Sequence, residues 1–467
     1  MREPLLVRLA ERALAFDVDG MSDAAVVRAK DLLLDTVGCA LGAIASDAVQ
    51  AVHRTCEALG GHPLATVMGT RLRTNAPWAT LANGTALRYL DANDYYFGRD
   101  PAHPSGNFAA ALAVGEETGA SGRDLLGAMS AAYALHLDLA DAAGVPNLWD
   151  RGWHHGTNVQ FAAAAAAARL YRCDAVTTAH AMAIAGSHHN TLAQLQNGAI
   201  SKIKATAEAW VAKGAVETTL LARHGITGPL DLVEGRFGWA ATVAGEVDED
   251  ALFRPLRDRF VDVSIKPYPA VATAMAPIDA ALALQARHRF AVDDIASVTV
   301  ALPRFALATP SGRPDRRHPA TRESADHSFY YCAAVALVDG ACGDAQFAPA
   351  RLHDPRLAAL LDRTELVEDL EFTANWPRSA GGAVQVQLRD GRTLEERRPY
   401  PPGDPSNPLD RVALLAKFHA HADPLLGRDR AEAAAAAIDA VDRCADLRDL
   451  MPLFAADSAE RESGETP

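Results

Sequence analysis

From Leu5 to about Gly225 the chain is a succession of Ala- and Leu-rich stretches with apolar residues at helical spacing, punctuated by Gly or Pro. This pattern predicts a domain of many helices, over residues 23–41, 77–89, 108–118, 124–142, 159–171, 175–185 and 205–224. Alanine has the highest helix propensity, and its small side chain lets helices approach closely. The most apolar runs, 36–46 and 161–168, meet a charge (Asp35, Asp47, Arg169) well short of the roughly 20 residues a membrane span needs. The N-terminus carries Glu3, Glu11 and Asp17 among its apolar residues and shows no cleavage site of small residues, so a cytoplasmic, membrane-free protein is expected.

Near Lys266 the texture changes. Pro267 and Pro269 break the chain before a helix over 272–286, and a β-branched alternation over 295–302 reads as a strand. Residues 383–388 and 393–397 flank Asp390-Gly391 and read as a hairpin with a type I′ turn. The expected fold is mainly α: a large all-helical domain with a smaller α+β lid domain. Residues 1–265 give the first part of the helical domain and 266–400 the lid. After a Pro401-Pro402-Gly403 linker, the helices of 401–457 (409–422 and 430–445) rejoin the helical domain, and 458–467 is a flexible tail.

Lys and Arg number 45 against 59 Asp and Glu, a net charge of −14 that argues against a nucleic-acid surface. Were the substrate an anion, positive charge would have to be concentrated in its pocket, so Lys and His residues in loops draw attention. Six scattered cysteines form no C-x-x-C pair and indicate neither a disulfide framework nor a zinc ribbon. The G-x-G-x-x-G, P-loop and H-E-x-x-H signatures are absent. The pairs His154-His155 and His188-His189, with His419 and His421, lack carboxylate partners and i,i+4 spacing, so no metal is expected.

Four polar clusters remain. The first runs from Asp91-Ala92-Asn93-Asp94-Tyr95 to His103-Pro104-Ser105-Gly106-Asn107, in a loop between helices; its plain alternative is helix capping by the Asp and Ser residues. The second is Gly152-Trp153-His154-His155-Gly156-Thr157-Asn158, where Thr157 or Asn158 can cap the next helix and its N-terminus favours an anion; otherwise the histidine packs on Trp153. Ser201-Lys202-Ile203-Lys204 and Lys266-Pro267-Tyr268-Pro269 complete the set, although lysines taken singly are mostly solvated.

The order of these blocks resembles the MmgE/PrpD family. Further landmarks are Asp35-Thr36-Val37-Gly38-Cys39, Ala82-Asn83-Gly84, Gly225-Ile226-Thr227-Gly228-Pro229 and Thr321-Arg322-Glu323-Ser324-Ala325-Asp326-His327-Ser328. The resemblance implies a homodimer with its active site in the cleft between domains, without metal or organic cofactor, acting on a small carboxylic acid. It also implies catalytic roles for Asp91, His103, His154, Lys204 and Tyr331, and substrate contacts from Lys204, Lys266, Ser105 and His327. Tyr95, Val271 and Met275 depart from the family pattern.

The implied chemistry is proton transfer next to a carboxylate. Lys204 and Lys266 would absorb developing negative charge, His103 and His154 would move protons, and Asp91 would orient a histidine. A hydro-lyase resembling 2-methylcitrate dehydratase is the expectation, with a cis-aconitate decarboxylase-like or iminodisuccinate epimerase-like enzyme as alternatives. Outside the family the competitors are a non-catalytic helical binding protein and a metal-dependent hydrolase.

Overall fold

The computed structural model describes residues 3–16 and 18–456; the tail expected at 458–467 lies outside the described residues. The helical domain contains α1 (Leu5–Leu14), α2 (Asp23–Ala43), α3 (Asp47–Leu59), α4 (Ala76–Tyr89), α5 (Gly106–Thr118), α6 (Gly122–Ala142), α7 (Val159–Leu170), α8 (Ala175–His188) and α9 (Ile203–Arg223). Their starts are chemically encoded. Ser22, Ser46, Asn75 and Asp174 accept hydrogen bonds from the N–H groups of Ala25, Val49, Trp78 and Thr177, and Ser121 forms a capping box with Asp124. Each such cap is worth about 1 kcal/mol.

Apart from Arg169, every residue of α7 is buried. A helix apolar on all sides must be surrounded by others, and the alanine run of α7 permits that. Close approach is sharpest between α4 and α9: a Cβ on Gly84 would lie 2.7 Å from that of Ala209. The helices Arg411–Leu426 and Arg428–Asp439 pack into this same core through Leu414, Phe418, Ala434 and Ile438. There the Phe418 ring lies 3.1 Å from where a Cβ on Gly38 would sit, so the landmark glycine of α2 makes room for it.

A second core draws on residues 270–388 together with Tyr95. Its four-stranded sheet has the spatial order Thr364–Glu368, Ile295–Leu302, Gly382–Leu388, Thr393–Arg398; the first pair is parallel and the others antiparallel. Val298, Val300, Val384 and Val386 turn inward and share this core with residues of the helices Met275–His288 and Phe329–Asp339. The fold is therefore mainly α with a smaller α+β part. No single helix among the described residues is long and apolar enough to cross a membrane.

Local details correct three expectations. In the hairpin only Gly391 has positive φ (91°), and its N–H donates to Leu388 C=O at 3.0 Å. A type I′ turn needs positive φ at Asp390 too, so the connection is a turn followed by a left-handed glycine. The stretch expected to be loop between α4 and α5 contains strands Asp94–Phe97 and Pro101–Ala102, the former also pairing with Ser264–Ile265. The run Tyr95-Tyr96-Phe97 favours strand because aromatic side chains suit a pleated, half-buried surface. Finally, His419 and His421 do have carboxylate partners, Asp423 at 2.7 Å and Asp344 at 3.5 Å.

Candidate active site

Asp91 follows the C-terminal end of α4 with φ of 52°, a left-handed conformation uncommon outside glycine. Strain of this kind clusters where function demands a fixed geometry. Here it aims a buried carboxylate at two lysines from distant parts of the chain. Lys204, in the first turn of α9, brings Nζ to 3.2 Å from Oδ2. Lys266, at the junction of the two cores and 0% exposed, places Nζ 2.7 Å from Oδ1 and also donates to the Asp91 C=O at 2.9 Å. Arg88, one turn earlier on α4, stands 3.7 Å from Oδ1.

Burial alone would raise the Asp91 pKa, but Lys204, Lys266, His327 and Arg88 outweigh it and hold the carboxyl well below its ordinary range. Burial also pulls Lys266 down, and Asp91 only partly restores it, leaving a pKa of about 8. Two ammonium groups thus share one carboxylate, leaving cationic capacity for an incoming anion.

Around this centre lies a cavity of about 360 Å³, lined among others by Asp91, Lys266, His103, His155, His327 and Asp100. His103 Nδ1 lies 2.7 Å from the carbonyl of Asp94. A carbonyl only accepts, so Nδ1 carries the proton and Nε2 keeps its lone pair. Burial, with Arg88 and Lys266 nearby, holds His103 well below the usual histidine pKa, so it is a neutral base. The Asp94 carboxylate is fixed by Tyr133 Oη at 2.8 Å and the Ser105 N–H at 3.1 Å.

His327 Nδ1 lies 2.5 Å from Asp326 Oδ1 and its Nε2 3.4 Å from Asp91 Oδ2. The short contact to Asp326 makes Nδ1–H the donor. Lys204, 3.4 Å from the same nitrogen, therefore acts through charge, and with burial it lowers the pKa of His327.

The structure separates the two adjacent histidines of the second cluster. His155 lines the cavity, whereas His154 does not; its ring lies against that of His155, centroids 3.9 Å apart and planes tilted by 34°. His154 Nδ1 accepts from the Gly156 N–H at 3.0 Å and caps the short turn His155–Asn158. Burial and the Arg88 charge push His155 to about 3; burial and His155 push His154 well below its usual value. Neither Thr157 nor Asn158 caps α7 with its side chain: Thr157 bonds instead to Thr191, and the amide atoms of Asn158 have no partner.

Lys204, Ser105 and Tyr331 do not line the cavity; Lys204 contacts Asp91, which does. The Ser105 hydroxyl, fully buried, accepts from Asn93, and the Tyr331 hydroxyl donates to the Gln346 carbonyl at 2.6 Å. Val271 does line it, so that departure from the family pattern sits on the site wall, while Met275 lies within the second core.

Arg88, Asp100 and Glu208 were not named by the sequence reading, and His155 entered it only as the neighbour of His154. Glu208 stands 3.0 Å from Arg88 Nε and 3.4 Å from His155 Nε2, with Gly106 and Gly156 packed against it. Its position four residues after Lys204 on α9, hence on the same helix face, is a signal the sequence offers. Asp100 accepts from the Leu148 N–H at 3.2 Å, and burial raises its pKa to about 7, so it can hold a proton in the cavity near neutrality. The cavity also has an apolar side: Phe97, Phe305, Val271 and Ile200, with Phe305 stacked on Trp376 at 4.2 Å. Among the described residues no group of three His, Cys, Asp or Glu side chains is placed to hold a metal ion.

Residues 7–250 match the MmgE/PrpD N-terminal domain and residues 268–443 the MmgE/PrpD C-terminal domain. The chain is 26% identical to a cis-aconitate decarboxylase of Mus musculus, over 93% of this chain and 90% of that protein. It is 27% identical to a 2-methylcitrate dehydratase of Cupriavidus necator (83% and 84% covered) and 26% identical to one of Salmonella typhimurium (83% of each). These relatives are enzymes, and with both domain models matched in order across a cleft of this kind, the chain belongs to the MmgE/PrpD family.

Proposed function

We propose that the protein is a lyase that needs no cofactor, acting by proton transfer at a carbon next to a carboxylate of a small di- or tricarboxylic acid, as a hydro-lyase resembling 2-methylcitrate dehydratase. The observation that carries this reading is the tautomer of His103: its Nδ1–H is committed to Asp94, and its basic nitrogen belongs to a ring on the wall of the cavity that also holds Lys266.

In this reading a substrate carboxylate binds beside Lys266 and Lys204. His103 Nε2 removes the α-proton, and the C–H pair forms the new C=C bond as hydroxide leaves the β-carbon. A proton from Asp100 or Lys266, whose pKa values of about 7 and about 8 suit donation near neutrality, turns the hydroxide into water. The ammonium groups stabilise the carbanion-like transition state as preorganised positive charge. A base and a separate acid in one cavity favour dehydration, because decarboxylation needs only an acid to reprotonate carbon. The apolar wall suits a substrate with an alkyl substituent.

Decarboxylation is the second reading, favoured by the 93% coverage shared with the relative named cis-aconitate decarboxylase. Proton NMR in D₂O with 2-methylcitrate, citrate, cis-aconitate and iminodisuccinate separates the two. Loss of water to an unsaturated acid with α-exchange is expected; release of CO₂ without hydration chemistry supports decarboxylation instead. No exchange with any of the four acids sinks the proton-transfer reading.

A further inference from the structure

Arg316 lines the same cavity from the α+β part of the chain, far in sequence from the lysines, and is 3% exposed. Its Nη2 donates to the carbonyls of Gln196 (3.2 Å) and Gly198 (2.5 Å), in the segment between α8 and α9. Gln196 and Ile200 of that segment are themselves cavity residues. Its Nη1 is buried and has no hydrogen-bond partner. Leaving a charged donor unpaired in a buried place is costly, and two backbone carbonyls do not neutralise a guanidinium. The backbone at Arg316 is fixed as well: its carbonyl accepts from Ser328 Oγ at 2.6 Å, next in sequence to His327.

We propose that Nη1 of Arg316 binds a second carboxylate of the substrate, remote from the reacting carbon, and that this contact fastens the 196–200 segment over the bound acid. The inference rests on the reading of the cavity as a polycarboxylate site. A guanidinium offers a fork of donors matched to a carboxylate. In Arg316 one arm grips the segment and the other is buried without a partner in a residue that lines the cavity, so a ligand carboxylate that reaches it would couple binding and closure through one side chain. The lysine pair and Arg316 then divide the work: the lysines hold the carboxylate beside the reacting carbon, and Arg316 reads whether another is present. Arg313, three residues earlier and exposed, also holds the segment, through Asn197 Oδ1 at 2.9 Å, but does not line the cavity. It provides a control for segment anchoring alone.

The test is calorimetric binding of tricarballylate and of its 1-monoamide, in which one terminal carboxylate is neutralised. The full-length protein is expected to prefer the triacid by about 10- to 100-fold, the range for one charge-assisted contact. Arg316→Gln should abolish the preference, Arg316→Lys should keep part of it, and Arg313→Ala should keep it whole. Hydrogen exchange of the 196–200 amides should slow on triacid binding in the wild type and not in Arg316→Gln. Equal weakening of both ligands in Arg316→Gln, or no preference in the wild type, overturns the anchor. Proton exchange by NMR on the same samples tests the catalytic reading separately. Discrimination without exchange removes that reading and leaves the anchor; exchange without discrimination removes the anchor alone.

Discussion

Lys266 is joined to Asp91 twice, by its ammonium to the carboxylate at 2.7 Å and to the backbone carbonyl of the same residue at 2.9 Å. The second bond needs the left-handed backbone of Asp91, so a strained turn at the end of one helix and a fully buried lysine 175 residues later in the chain fix each other. Removing one partner leaves the other as an uncompensated buried charge. Asp91→Asn should abolish turnover and lower stability by about 3 kcal/mol, whereas adding Lys266→Met should return much of the stability but none of the activity. Denaturant titration of the two single variants and the double variant checks this, and strict additivity would contradict it.

His103→Gln should lower kcat by about 10²- to 10⁴-fold, the contribution of one placed base, with little change in thermal midpoint. His154→Asn, which keeps an acceptor for the Gly156 N–H, should cost less activity than His155→Gln, because His155 lines the cavity and His154 does not. Steady-state kinetics of the three variants orders them.

The pH profile of kcat/KM should lack a limb from His103 or His155, since both remain neutral across the working range. An alkaline fall is expected instead. Asp100 gains negative charge as pH rises through about 7 and Lys266 loses its positive charge as pH rises through about 8, and both changes disfavour an anionic substrate. Asp100→Asn should shift the limb toward pH 8, and an unmoved limb would exclude Asp100 from it.

Asp100 also links stability to pH. Its pKa is raised in the folded state, so between about pH 4 and 7 the folded protein binds more protons than the unfolded chain and stability falls as pH rises. Above pH 7 the cost is fully present. Asp100→Asn should therefore be more stable than the wild type at pH 8, on the order of 4 kcal/mol, and the difference should vanish near pH 4. Urea melts at the two pH values measure it.

Gly84→Ala would push a methyl group to 2.7 Å from Ala209 Cβ. Overpacking of this kind costs about 1–3 kcal/mol. One turn along from the crossing, α4 carries Arg88, which pairs with Glu208 of α9, so the variant should also lose activity. Thermal melts and kinetics on the same preparation check both effects.

The amino-acid sequence by itself determined the helices, because alanine-rich periodicity, capping Ser, Asn and Asp residues and Gly or Pro stops are local signals that neighbouring residues can satisfy. It also pointed to part of the candidate site, since Asp91, His103, Lys204, Lys266 and His327 stand in blocks whose order carries the family likeness, whereas Arg88, Asp100 and Glu208 stand in none of them. Only the tertiary structure decided how these groups act. It joined Asp91 to lysines 113 and 175 residues away, put His155 rather than His154 on the cavity wall, and turned Ser105 and Tyr331 to other partners. It also buried one arm of Arg316 without a hydrogen-bond partner and raised the pKa of Asp100. The physical reason is range: propensity and capping act within a turn or two of backbone, whereas desolvation, charge pairing and ring tautomers depend on what the folded chain brings alongside each group.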